Sequence, residues 1–252
     1  MTSTVVDVAG LVVEFDGFPA IDGLDFTVEQ GELRFLIGPN GAGKTTLLDV
    51  LTGLTRPRAG TATVLGHDVT SMSEHGIVAR GIGRTFQTPT VFEELTVAEN
   101  LDLARIGTGP RRALLRRPAG VPAAMTGMLE RGGLLGLAGR PSSVLSHGQR
   151  QWLEIAMLLA ADPRVLLLDE PVAGMTRDER RATGELLTDI ATDRTVVVVE
   201  HDMDFLRRYA RRVTVMHAGR LLAEGSVADI QAHPRVREVY LGRPADEGAA
   251  DA

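Results

Sequence analysis

Leu33-Arg34-Phe35-Leu36-Ile37-Gly38-Pro39-Asn40-Gly41-Ala42-Gly43-Lys44-Thr45-Thr46 decides the reading of this chain. A short apolar strand runs into a glycine-rich turn, then into Lys-Thr and an apolar-periodic helix carrying Leu47, Leu48 and Leu51. Gly38, Gly41 and Gly43 let the backbone turn tightly and aim several N–H groups inward, where side chains would hold a polyphosphate away. Lys44 adds a mobile positive charge and Thr45 a hydroxyl for Mg²⁺. The helix that starts here adds the positive end of its dipole. Gly, four free positions, Gly, Lys and then Ser or Thr, between a buried strand and a helix, predicts a phosphate cradle. That gives nucleotide binding and, by itself, no further function.

The totals narrow the classes. The chain has 252 residues, 44% hydrophobic and 24% charged, enough for one large core with subdomains. A formal net charge of −6 and only 4% aromatic residues give no sequence-wide basic footprint or stacking platform, so nucleic acid is not expected as a partner. With no cysteine, disulfides and thiolate metal sites are excluded, which fits a reducing compartment. The amino terminus lacks the basic start and apolar core of a signal peptide, and no apolar run approaches eighteen residues. Any membrane role is therefore expected to come through a partner.

Around the cradle, residues from about 5 to 28 alternate apolar and polar positions between Gly-rich breaks, as short antiparallel strands do. Phe15 and Phe18 lie here, and aromatics at strand spacing are core residues more often than ring platforms. Thr96-Val-Ala-Glu99 has capping-box spacing and opens a helix through Leu101 and Leu103. Residues 107–140 are the least regular part; Arg111, Arg112, Arg116 and Arg117 could face anionic lipid or a partner's acidic loop, although a small charge cluster is usually a solvated surface. Residues 213–225 read as a hairpin around Ala218-Gly219, and 226–231 as a short helix. The small, acidic segment 244–252 is expected to be a disordered tail beyond a single domain of residues 1–243.

Three further stretches bear on chemistry. Leu145-Ser146-His147-Gly148-Gln149 leads a strongly periodic helix with Trp152, Ile155, Ala156, Leu159 and Ala160 on one face. Ser146 and Gln149 have capping-box spacing, while Gly148 is expected to leave the helix start open to a γ-phosphate. Val165-Leu-Leu-Leu-Asp169-Glu170-Pro171 reads as a fully buried parallel strand ending in two carboxylates. An acid there, opposite a phosphate cradle, is placed to hold Mg²⁺, which assigns Asp169; Glu170 is then left to orient or deprotonate the attacking water. Thr195-Val-Val-Val-Val199 repeats the buried-strand pattern and ends in Glu200-His201-Asp202. A His after a strand is usually a surface or capping residue; at the same sheet edge as the cradle, His201 would sense the γ-phosphate through a ring N–H.

Taken in order along one chain, GPNGAGKTT, Gln87, LSHGQ, LLLDEP and the His201 segment together resemble the ATP-binding cassette (ABC) ATPases over nearly the whole sequence. The resemblance implies an α/β P-loop core, an antiparallel β subdomain and an α-helical subdomain at about 87–160. It also implies a head-to-tail dimer, with ATP between one subunit's cradle and the other's Ser146 region. Phe15 would stack on adenine. Gly38, Pro39, Asn40, Gly41, Ala42, Gly43, Lys44, Thr45 and Thr46 would hold the phosphates from one side, and Ser146, Gly148 and Gln149 from the other. Thr45, Gln87 and Asp169 would serve Mg²⁺, Glu170 would polarise water and His201 would sense the γ-phosphate. Gln87 would also couple the site to a membrane partner.

Three departures from the family pattern stand out: His147 for the usual glycine, Phe15 for the common tyrosine, and Val172-Ala-Gly-Met-Thr176 for the usual Ser-Ala-Leu-Asp loop. Within the family the sequence looks like the branched-chain amino acid and urea importer ATPases. HGQRQWLEIAMLLA, PVAGMT and PRVREVYLG are most similar to the urea importer subunit. This implies an ATPase at the cytoplasmic face of the inner membrane with two transmembrane permease subunits. A second, similar ATPase or another copy of this chain would complete the dimer, and a periplasmic solute-binding protein would take part indirectly. Branched-chain amino acids, or another short amide or amino acid, are the alternative solutes. A non-transport member of the family is disfavoured by the single cassette, and a GTPase or small-molecule kinase by LSHGQ ahead of LLLDEP.

Overall fold

The computed structural model describes residues 3–85, 90–107 and 120–241. In chain order these form β1 (Thr4–Phe15), β2 (Phe18–Glu29), β3 (Leu33–Ile37), α1 (Lys44–Leu51), β4 (Ala59–Val64), β5 (His67–Asp68), α2 (Glu74–Val78), β6 (Ile82–Arg84) and α3 (Val97–Gly107). They continue with α4 (Thr126–Arg131), α5 (His147–Ala160), β7 (Val165–Asp169), α6 (Arg177–Ile190), β8 (Thr195–Val199), α7 (Met203–Tyr209), β9 (Arg212–His217), β10 (Arg220–Gly225), α8 (Val227–Ala232) and α9 (Pro234–Leu241). Gln87, the Arg111–Arg117 cluster and the 244–252 tail lie outside the described residues.

Two sheets share the interior. A six-stranded sheet in the order β10-β9-β3-β8-β7-β6 is parallel except for β10, and a four-stranded antiparallel sheet runs β2-β1-β4-β5. All five residues of β3, β7 and β8 are buried, which is why these segments read as unbroken apolar runs. Alternation sends Leu33, Phe35 and Ile37 to a core shared with α3, α5, α6 and α7, while Leu36 joins the core made with β1, β2, β4 and α1. The phosphate loop thus leaves a central strand gripped on both faces.

The amino-terminal strands are longer than their sequence suggests. β1 and β2 are twelve residues each, because Gly10 and Gly23, with φ of 57° and 68°, make bulges instead of ending the strands. The register slips between Val8 and Leu11, and Asp25 Oδ1 accepts the Gly10 N–H at 2.8 Å. Phe15 and Phe18 pair across the Asp16-Gly17 turn at the far end of this ribbon. Both are exposed, Phe15 by 50% and Phe18 by 78%, so the expectation that strand spacing puts them in the core does not hold. They stand beyond the reach of the second layer that buries the rest of β1 and β2.

Arg34, on the central strand β3, is fully buried. Its Nε donates to Glu32 at 2.6 Å and its Nη1 to Thr214 Oγ1 at 2.7 Å and to Glu224, so the desolvated charge is fully paired. Glu224 also takes Arg212 at 2.5 Å. This network bolts the β9–β10 hairpin onto β3. The hairpin tip then presses on the phosphate loop, where the Gly219 N–H donates to the Ala42 carbonyl at 3.1 Å.

Candidate nucleotide site

The ends of β3, β7 and β8 open onto one edge of the parallel sheet, the place where open α/β sheets bind ligands. A cleft of about 520 Å³ there is walled by Phe15, Ala20, residues 40–46 and Glu170. Its loop cannot be built from other residues. A Cβ on Gly38 would stand 2.3 Å from the Met216 carbonyl oxygen, and one on Gly43, at φ 98°, 2.6 Å from the Ala20 carbonyl oxygen. Gly43 caps α1 with no side-chain hydrogen bond, which leaves the first N–H groups of the helix for an anion.

Lys44 bridges the loop, its Nζ donating to the carbonyls of Gly38 at 2.8 Å and Pro39 at 3.1 Å. Burial lowers its pKa from the usual lysine value, opposed by the charges of Glu170 and Asp169. The loop cation and the two strand-end carboxylates therefore share one field, although they are more than a hundred residues apart in sequence.

Asp169 ends β7 and is 1% exposed. Its Oδ2 meets Arg84 Nη2 at 3.3 Å, and Arg84 Nη1 reaches Asp49 of α1 at 2.5 Å, so one guanidinium clamps the phosphate-loop helix to the end of β7. Burial raises the Asp169 pKa above the usual carboxylate value, Arg84 lowers it through charge and hydrogen bonding, and Glu170 and Asp49 raise it further. Its Oδ1 is buried with no hydrogen-bond partner. Such an orphaned anionic oxygen fits a divalent cation. Among the described residues no group of three or more His, Cys, Asp or Glu forms a cage, so a cation here would share its ligands with a phosphate.

Glu170 adopts a left-handed conformation, φ 52°, uncommon outside glycine. Its Oε1 lies 3.4 Å from His201 Nδ1, on the loop after the neighbouring strand β8. Glu200, which sequence reasoning passed over, organises both loops. It is buried, and its carboxylate accepts the N–H groups of Val172 at 3.2 Å, His201 at 3.1 Å and Asp202 at 3.5 Å. The only signal for it was an acidic residue ending an apolar strand, which reads equally well as the start of a surface turn.

Ser146 caps α5 through the expected box: the Gln149 N–H donates to Ser146 Oγ at 3.2 Å, and Gln149 Oε1 accepts the Ser146 N–H at 3.0 Å. Neither these two residues nor Gly148 line the cleft of the phosphate loop. On the side where a Cβ would stand, Gly148 is covered rather than open. A Cβ there would fall 2.6 Å from Glu179 Oε1, because the Glu179 carboxylate, held in the capping box of α6 with Thr176, covers it. Two of the motif departures touch: a Cβ on Gly174 would meet His147 Cδ2 at 3.0 Å, so the imidazole rests on the Val172–Thr176 loop.

Comparison with known proteins agrees with this geometry. The sequence matches the ABC transporter family over residues 21–173 and the branched-chain amino acid ATP-binding cassette transporter family over residues 220–246. It is 36% identical to the high-affinity branched-chain amino acid transport ATP-binding protein LivG of Salmonella typhimurium, across 96% of this chain and 99% of that one. It is 34% identical to BraF of Pseudomonas aeruginosa, described in the same words, with the same coverage. A crystal structure of an ABC transporter's ATP-binding cassette in its ADP conformation superposes with a TM-score of 0.82 at 30% identity, across 96% of this chain and all of that one.

Proposed function

Because this chain belongs to the ABC transporter family and is the ATP-hydrolysing subunit of an importer, we propose that the solute it helps to move is a branched-chain amino acid. The match of residues 220–246 to the branched-chain amino acid branch carries this reading, and LivG and BraF support it. Urea, the solute favoured by the wording of the motifs, has no support from these relatives. No residue of the motifs that suggested it would touch a solute.

The residues divide the work as follows. Phe15 stacks on the adenine, and Gly38 to Thr46 wrap the phosphates with Lys44 as their counter-charge. Mg²⁺ would be held by the Thr45 hydroxyl, Asp169 and Gln87, and bound there it would neutralise charge on the β- and γ-phosphates. Glu170 accepts a proton from the attacking water, and His201 steadies the γ-phosphate side of the site. The second grip comes from Ser146, Gly148 and Gln149 of a neighbouring ATPase subunit, so the nucleotide joins the interface and association depends on it.

Residues 1–243 act as one cassette, with the segment at about 87–160 moving against two permease subunits and a periplasmic solute-binding protein delivering the solute. In this reading the subunit sits peripherally at the cytoplasmic face of the inner membrane, against those permeases; no helix among the described residues is long and apolar enough to cross a membrane. ATPase activity of the complex reconstituted with its permeases and binding protein tests the solute. Leucine, isoleucine or valine should stimulate turnover and urea should not; stimulation by urea alone would reverse the assignment.

A further inference from the structure

Gln151 lies on α5, five residues beyond Ser146, and is 3% exposed. Its Nε2 donates to the backbone carbonyl of Glu170 at 3.3 Å, while its Oε1 is buried with no hydrogen-bond partner. A buried amide with half its capacity unused is a poor packing element, since an apolar side chain of equal length would fill the space without an orphaned acceptor. What the amide supplies is its donor, and that donor reaches the non-glycine residue of the site whose backbone sits in the left-handed region, at φ 52°.

The Glu170 peptide is held at three points. Its N–H donates to the Val199 carbonyl at 2.9 Å, and its own carbonyl accepts the Ala173 N–H at 3.2 Å as well as Gln151. The first two bonds are backbone bonds from the strand and the turn. Gln151 is the side chain among these holds, and it comes from a different element. Residues 147, 151 and 154 share one face of α5 by helical spacing. His147 rests on Gly174, and Glu154 accepts the Thr90 N–H at 3.3 Å. This face of α5 thus touches the loop after Glu170 at two places and the segment near Gln87 at a third.

We propose that Gln151 is a positioning residue for hydrolysis: its amide fixes the Glu170 peptide, and so the aim of the Glu170 carboxylate, from the helix whose first turn holds the opposite nucleotide. The proposal rests on the role given to Glu170 above. A carboxylate displaced by about 1 Å from its near-attack geometry is enough to lose about 100-fold in rate. The nucleotide's own contacts, in the phosphate loop, are not altered by losing this bond.

The test compares Gln151→Met, which keeps length and packing but removes the donor, and Gln151→Glu, which is isosteric and lacks the amide donor, with Glu170→Gln. The full chain is assayed for kcat, KM for ATP, equilibrium ATP binding and Tm. Positioning predicts a kcat lower by tenfold or more in both Gln151 variants, KM and ATP affinity within about twofold, and no further loss when Gln151→Met is added to Glu170→Gln. A KM that rises in step with the fall in kcat, or a Gln151→Met variant with kcat within twofold of the parent, overturns it. If Gln151→Met does not fold, Gln151→Glu carries the same criteria. Full activity in Glu170→Gln would overturn the role of Glu170 itself, whereas an inactive Glu170→Gln beside an active Gln151→Met would remove the positioning claim alone.

Discussion

His201 Nδ1 stands 3.4 Å from Glu170 Oε1, each residue just beyond the end of one of the paired strands β7 and β8. The base and the γ-phosphate sensor proposed above are thus neighbours within one chain, and their substitutions should not act independently. Glu170→Gln should keep ATP binding and lower kcat by about 100- to 10,000-fold, the usual worth of a positioned base. His201→Ala should lower kcat less, and the double variant should be no slower than Glu170→Gln alone, as groups that act as a unit behave. Steady-state ATPase assays with parallel nucleotide-binding measurements check this; losses that multiply would separate the two roles.

The phosphate loop contains two left-handed glycines in different surroundings. Gly41, at φ 77°, has nothing within 4 Å of a Cβ, whereas Gly43, at φ 98°, would set one 2.6 Å from the Ala20 carbonyl oxygen. Gly41→Ala should cost only the backbone strain, about 1–2 kcal/mol. Gly43→Ala should cost about 1–3 kcal/mol more, because β2 must give way. Denaturant unfolding without nucleotide should rank the two in that order; equal losses would mean that the Ala20 backbone yields freely.

The Glu179 carboxylate over Gly148 makes a second steric prediction. Gly148→Ala should push the Glu179 carboxylate off Thr176 and cost about 1 kcal/mol through the lost reciprocal half of the α6 capping box. Glu179→Ala loses the same cap without a clash. Added to Gly148→Ala it should cost less than the sum of the two singles by about 0.5 kcal/mol or more, which a double-mutant cycle of unfolding free energies reads directly.

What the sequence discloses follows the range of the interaction. β7 and β8 were legible because a strand buried on both faces leaves no room for polar residues, and the boxes at Thr96 and Ser146 because a cap reaches only three residues. The Arg84 clamp was not, since it joins residues 35 and 85 positions away and no local pattern marks an arginine as the one that is buried. The cover over Gly148 is hidden for the same reason: it comes from the start of a later helix. Glycine in β1 and β2 was read as punctuation, yet a bulge and a strand end need the same residue, and only pairing tells them apart. Gln151 is, by sequence, one more polar position on a helix, and its partner, the Glu170 peptide, lies 19 residues away.

Glu200 gives the pH prediction. Burial raises its pKa above the usual 4.5, against the lowering effect of the N–H groups of Val172, His201 and Asp202 and of the His201 charge. Between 4.5 and the raised value the folded chain binds more protons at this site than the unfolded chain does, so its contribution makes stability fall as pH rises through that window. Each unit of such a shift is worth about 1.4 kcal/mol at pH above it. Glu200→Gln cannot ionise and carries no such slope. The Tm of the variant minus that of the parent, followed by thermal unfolding without nucleotide at constant ionic strength, should therefore grow more favourable to the variant as pH rises above 4.5 and level off once pH passes the raised value; a constant difference would mean that the carboxylate is not penalised. The same substitution trades one acceptor oxygen for an amide that must face N–H groups, so the loops bearing Glu170 and His201 should loosen and kcat should fall even where the Tm gap narrows. A gain in relative stability accompanied by a loss of turnover would identify Glu200 as a buried charge kept for the shape of the site.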